Sequence, residues 1–117
     1  MMQVSEAIGR VLAGRGVEVF FGLVGSGNFA LTNALHAAGA AFYSARHEGG
    51  AIMMADGYAR ACGKVGVLSV HQGPGFTNTL TGLTEAAKSR TPLLVLAADT
   101  PAKALWSNFK IDQARSR

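Results

Sequence analysis

The 117-residue sequence has one cysteine, three prolines and no long apolar run. The single cysteine, Cys62, excludes an internal disulfide, and cysteine this scarce fits a reducing compartment, so a cytoplasmic location is expected. The longest candidate for a membrane span, Pro92 to Ala98 ("PLLVLAA"), is strand length and falls far short of the ~20 residues that cross a bilayer. The amino-terminal "MMQVSEAIGRVLAGRG" is amphipathic and lacks the continuous apolar stretch of a signal peptide. Net charge is +4, but the basic residues are scattered, and aromatics interleaved with them in the manner of nucleic-acid-binding surfaces are missing. Neither a membrane nor a nucleic acid is expected as a partner. Repeats and low-complexity segments are absent too.

What is present is an alternation. Apolar residues make up 49% of the chain, enough for one globular core. Val4, Ile8, Val11 and Leu12 recur at helical spacing until Gly14 and Gly16 end the helix. "VEVFFGLV" reads as a buried strand, Phe29 to Ala38 as a helix, and Ala41 to Ala45 as a second strand. Gly50 to Cys62 is a helix stopped by Gly63, residues 65 to 70 ("VGVLSV") a third strand, Phe76 to Ser89 a helix, and "PLLVLAA" a fourth strand. Continuous apolar strands alternating with helices predict an α/β fold, with a parallel sheet of about four strands covered by helices on both faces. The pattern does not fix the strand order. In such sheets the functional loops lie at the carboxyl ends of the strands. Three glycine-bearing loops fall there: Gly22 to Asn28, Arg46 to Gly50, and His71 to Asn78.

The first of these loops contains "GSGNFA", residues 25 to 30, a match to G-x-G-x-x-A with Glu48 some twenty residues on. That approaches the dinucleotide-binding fingerprint of a Rossmann domain. Two details weaken it. A helix precedes the first strand, and the acid lies beyond the second strand rather than at its end.

Glu48 stands at the start of a helix on which Ala51, Met54, Ala55, Tyr58, Ala59 and Cys62 are spaced by threes and fours, while Asp56 and Arg60 can pair on the other face. An acid there has an ordinary explanation, since the helix dipole and free amides stabilise it by ~0.3–1 kcal/mol. The loop "HQGPGFTN" shifts the balance. Gly73, Pro74 and Gly75 form a tight turn that lets a ligand approach the backbone, and Thr77 and Asn78 stand as caps or as pocket polar groups at the next helix start. The lysine and serine of a phosphate-binding P-loop are missing.

Taken together, "RHEGGAIMMADGYARACGKVGV", "GPGFTNTLTGLTEAAKSRTPLLVLAAD" and "GVEVFFGLVGS" resemble, in order and spacing, the pyrimidine-binding domain of thiamine-diphosphate-dependent enzymes of the acetolactate synthase and pyruvate decarboxylase type. The resemblance covers roughly residues 1 to 100, with residues 101–117 as a truncated tail of the same domain. It implies thiamine diphosphate as cofactor and a 2-oxo acid as substrate, for decarboxylation or carboligation. In that family the glutamate of the R-H-E motif hydrogen-bonds N1′ of the aminopyrimidine, favouring the tautomer whose N4′ takes the proton from the thiazolium C2. The role falls on Glu48 as the catalytic residue. The resemblance places Gly25, Gly73, Pro74 and Asn78, with Glu48, around the pyrimidine and the substrate. It assigns no metal ligand to this chain. Mg²⁺ is expected only with a diphosphate-binding domain that residues 1 to 117 do not resemble. The chain is accordingly expected to be inactive alone, and to form a homo-oligomer or to join a diphosphate-binding partner chain.

The departures are specific. Val24 stands where the family's F-G-V-P-G turn has proline, which predicts a less rigid loop. "NFKID" places Lys110 and Ile111 at the Q-E positions of a family F-Q-E-x-D segment. The chain reads as a fragment, a frameshifted product or one piece of a split enzyme. A non-catalytic module that binds such a partner is the alternative, and a Rossmann nucleotide-binding domain a weaker one.

Overall fold

The first strand shows why the chain folds as it does. Phe20 and Phe21 point to opposite faces, as successive strand residues must, and each nucleates a separate core. A computed structural model describes residues 1–102. The tail residues Trp106, Phe109, Lys110 and Ile111 lie outside the described residues.

The elements run α1 (Val4–Gly14), β1 (Val19–Gly22), α2 (Phe29–Ala37), β2 (Ala41–Ser44), α3 (Glu48–Cys62), β3 (Gly66–Val70), α4 (Pro74–Thr77), α5 (Leu80–Lys88) and β4 (Leu93–Ala97). All strands are parallel, in the order β2-β1-β3-β4. Phe20, Leu35, Ala40 and Val67 form the core on one face, with Leu12, Leu94 and Leu96 packed against it. Phe21, Ala51, Ile52, Ala55, Leu68 and Val70 form the other, under Leu83, Leu93 and Val95. Thus α1 and α2 cover one face and α3 and α5 the other, as the continuous apolar strands predict. A Cβ on Gly9 would fall 2.8 Å from the Ala34 carbonyl carbon, so this glycine sets how closely α1 lies on α2.

The first strand is confined to Val19–Gly22 within the longer run "VEVFFGLV", and two helices differ from the sequence reading. The α3 helix opens at Glu48, two residues before the predicted Gly50, because the His47 Nδ1 accepts the Gly49 amide at 3.0 Å and caps the first turn. Its buried stripe is Ala51, Ile52, Ala55 and Ala59, whereas Met54 and Cys62 are exposed. The predicted helix from Phe76 to Ser89 is two helices. Proline opens α4 at its first position, and the Thr79 hydroxyl donates to the Phe76 carbonyl at 2.6 Å, turning the chain between Asn78 and Leu80. The Asp56–Arg60 pair forms at 2.9 Å, and its hydrogen bond holds the Asp56 carboxyl below its ordinary range. Among the described residues no helix is long and apolar enough to cross a membrane.

Candidate functional site

The three carboxyl-end loops converge as expected of an open parallel sheet. The chain leaves β1 toward α2 on one face and β3 toward α4 and α5 on the other, so a crevice opens between the ends of these two neighbouring strands. Glu48 approaches it from the loop after β2.

Glu48 occupies the first helical position of α3 and is 8% exposed. Its Oε2 accepts from the Asn78 side-chain amide at 3.0 Å. The turn between α4 and α5 places Asn78 there, a position that an unbroken helix would not give. A Cβ on Gly75 would lie 3.5 Å from Glu48 Oε1, so the missing side chain leaves room beside that oxygen. Oε1 itself has no hydrogen-bond partner among the described residues. The carboxylate is therefore held at one oxygen and available at the other, near the positive end of a helix dipole.

Gly73 has φ 65°, a left-handed value that glycine adopts without strain, and it turns β3 into α4. Pro74 is exposed at the first position of α4. Gly25 donates its amide to Asn28 Oδ1 at 2.7 Å. The buried Asn28 also donates to the Leu23 carbonyl at 3.2 Å and to the Ser69 hydroxyl at 3.1 Å, and Ser69 in turn bonds Thr32 at 2.8 Å. This network ties the first loop to β3, bracing a turn that lacks the family's proline at Val24. It also answers the dinucleotide pattern. The amides of Gly25 and Gly27, which a pyrophosphate would need, are already engaged, by Asn28 and by His71 Nδ1. The structure thus joins Glu48, Gly73, Pro74 and Asn78 along one rim, with Gly25 across the crevice.

Sequence reasoning assigned no role to His71, Gln72 or Asn28. Among these, Gln72 is 3% exposed and its Oε1 lacks a partner among the described residues. The signal for His71 was its place two residues before the G-P-G turn, but much of its surroundings comes from Gly25 and Gly27, distant in sequence. A separate surface hollow lies at the opposite, amino end of the sheet. Arg15, Tyr58 and Lys64 line it, and Lys64 there is paired with Glu18 at 3.1 Å.

Asn78→Asp tests the central contact. It sets a second carboxylate against Glu48, and two carboxylates that close cannot both ionise, so the folded pair binds a proton more firmly than the unfolded chain does. The folded state is then favoured at low pH, and that advantage is lost as the pH rises. The variant is expected to melt below the parent at neutral pH, with the gap closing as the solution is acidified. A gap independent of pH would place Asn78 away from Glu48.

A family model described as "Thiamine pyrophosphate enzyme, N-terminal TPP binding domain" matches residues 2–114. The chain is similar to a sulfoacetaldehyde acetyltransferase of Roseovarius nubinhibens, with 36% identity over 104 residues, covering 89% of this chain and 17% of that protein. An acetolactate synthase large subunit of Lactococcus lactis is 44% identical over 92 residues, covering 78% of this chain and 16% of its own length. A protein of Pseudomonas aeruginosa named as a probable 2-ketoarginine decarboxylase is 43% identical over 93 residues, 80% of this chain and 17% of its own. The chain therefore spans about one sixth of the length of these curated relatives.

Proposed function

Because the chain belongs to the family of thiamine pyrophosphate enzymes, as their N-terminal TPP-binding domain, we propose that it holds the aminopyrimidine of thiamine diphosphate in an enzyme acting on 2-oxo acids. The reaction class, decarboxylation or carboligation, follows the relatives' names. The observation that carries the reading is the Glu48 carboxylate, nearly buried, fixed through Oε2 by Asn78 and open at Oε1.

The donor set fits the cofactor. A ring nitrogen needs one acid oxygen that can share a proton with it, and Oε1 is that oxygen. When bound, thiamine diphosphate supplies an acidic thiazolium carbon that can add to a 2-oxo group. The work of this chain is to hold and orient. Asn78 keeps the carboxylate from turning away, the α3 amino terminus favours its charge, and burial keeps water from competing for the shared proton. Gly73, Pro74 and Gly75 keep the rim low where the ring would lie. Mg²⁺ and the diphosphate are assigned to a further domain or partner chain, and association, either as a homo-oligomer or with such a partner, completes the site. A cytoplasmic setting suits this reading.

The experiment is amide chemical-shift mapping of the 117-residue chain with thiamine diphosphate. Residues 47–49 and 73–78 are expected to respond. Responses confined to the Arg15–Lys64 hollow, or none at saturating cofactor, would overturn the assignment.

A further inference from the structure

We propose that the hollow at the amino end of the sheet binds a small carboxylate with an apolar body, its acid group on Arg15 and its body on Leu12, Val17 and Leu94. The hollow lies at the far end of the sheet from Glu48, so this inference is independent of the cofactor reading.

The hollow forms where α1 turns into β1 and α3 turns into β3. Two glycines in left-handed conformations make those turns, Gly16 at φ 91° and Gly63 at φ 70°. Leu12, Val17 and Leu94 are half-buried there, and Val65 at the rim is 49% exposed. Tyr58 enters from α3, its ring packed edge-on against Phe21 at 5.7 Å, so the core fixes the wall it makes. The volume is about 570 Å³. Small-molecule sites span roughly 300–1,000 Å³ and combine mostly apolar walls with a few polar groups, which is the make-up of this hollow.

The charges decide the class of ligand. Lys64 donates to the Glu18 carboxylate at 3.1 Å, and that pair cancels. Arg15 forms no ion pair among the described residues. The hollow therefore keeps one positive charge, carried by a planar guanidinium that suits a carboxylate through two parallel hydrogen bonds. A cationic ligand would be repelled, and a neutral one would leave Arg15 unpaired.

The described ends of the chain do not fill this space. Helix α1 descends from the carboxyl end of the sheet, where Ile8 lies near Gly27 and Ala98, and β4 climbs back to that end. Val4 and Ala97 are thus both remote from the hollow.

The ordinary alternative is that Arg15 only balances the negative end of the α1 dipole. Amide chemical-shift mapping of the 117-residue chain, with octanoate as the probe, separates the two. Residues 15–19 and 63–65 are expected to respond, saturating at about millimolar concentration. Octanol and octylamine should bind at least about 10-fold more weakly, because neither pairs with a guanidinium. Arg15→Gln should weaken octanoate by about 10-fold or more, the loss of a hydrogen bond between charged groups, and Arg15→Lys should restore part of it. Lys88→Gln, which removes an exposed cation elsewhere, should bind octanoate as the parent does.

Octanol or octylamine binding as tightly as octanoate would overturn the proposal, as would an unchanged affinity in Arg15→Gln or octanoate shifts confined to residues 47–49 and 73–78. Shifts at residues 15–19 and 63–65 that follow protein concentration without octanoate would also overturn it, by giving the hollow to a second copy of the chain. Should Arg15→Gln fail to fold, the octanol and octylamine titrations still decide.

Discussion

Replacing Glu48 by glutamine is expected to slow turnover of a 2-oxo acid by about 10²–10⁴-fold in an enzyme that joins this chain to a diphosphate-binding part, the range that a positioned proton-transfer group contributes. Glutamine is nearly isosteric and a helix start tolerates it, so the fold should survive. Asn78 can still bond the new side-chain oxygen. What disappears is a carboxyl able to share a proton with a ring nitrogen. Cofactor affinity should change far less, because the metal and diphosphate supply most of the holding. If Glu48 merely caps α3, the outcome reverses: a stability change below ~1 kcal/mol and normal turnover. Exchange of the bound cofactor's C2 proton with solvent discriminates directly. An exchange rate in Glu48→Gln equal to the parent's would remove Glu48 from catalysis.

Gly66→Ala should cost about 3 kcal/mol or more, the upper end for overpacking. Gly66 opens β3 beneath α3, and a Cβ there would stand 2.9 Å from the Ala55 carbonyl carbon, against the oxygen of the same carbonyl, and 2.6 Å from Leu93 Cδ2. Leu93 can adjust its rotamer, but a backbone carbonyl within a helix cannot step aside. Helix α3 must lift, and Glu48 lies at its end. Gly57 provides the control, since a Cβ there meets nothing within 4 Å. Gly57→Ala, in the middle of the same helix, should stabilise by about 0.5–1 kcal/mol. Chemical denaturation of both variants gives the comparison, and equal effects would show that the close approach at Gly66 does not govern α3 packing.

These contrasts show how much was legible in the sequence. The four strands were, because runs such as Phe20–Phe21 and Val67–Leu68 are apolar on both faces and admit only a sheet covered twice. The boundary of α3 was missed by two residues, because histidine is not among the usual caps and its Nδ1 contact with Gly49 is a matter of geometry. The break at Thr79 was hidden, since the apolar period runs on from Phe76 to Ala86 while a hydroxyl bonds its own backbone. Strand order was out of reach. It depends on contacts such as Gly22 against Ser69, which no local pattern encodes. Of the candidate site, Glu48 and the G-P-G loop stood out through their resemblance to a known motif. His71 did not, because its meaning lies in glycines 44 and 46 positions earlier in the chain.

The pairing of β1 with β3 has a consequence for how the chain reaches this state. Phe21 lies beside Leu68, with a strand and two helices threaded between them in the sequence. Parallel neighbours cannot zip from a hairpin, so the central pair of the sheet forms only after a long loop has closed and its entropy has been spent. On the ribosome, β1 emerges early and waits with one side unpaired, able to accept β2 but not yet its other neighbour. The crevice that holds His71 is bounded by these two strands, and it therefore comes into being only once that long loop has closed.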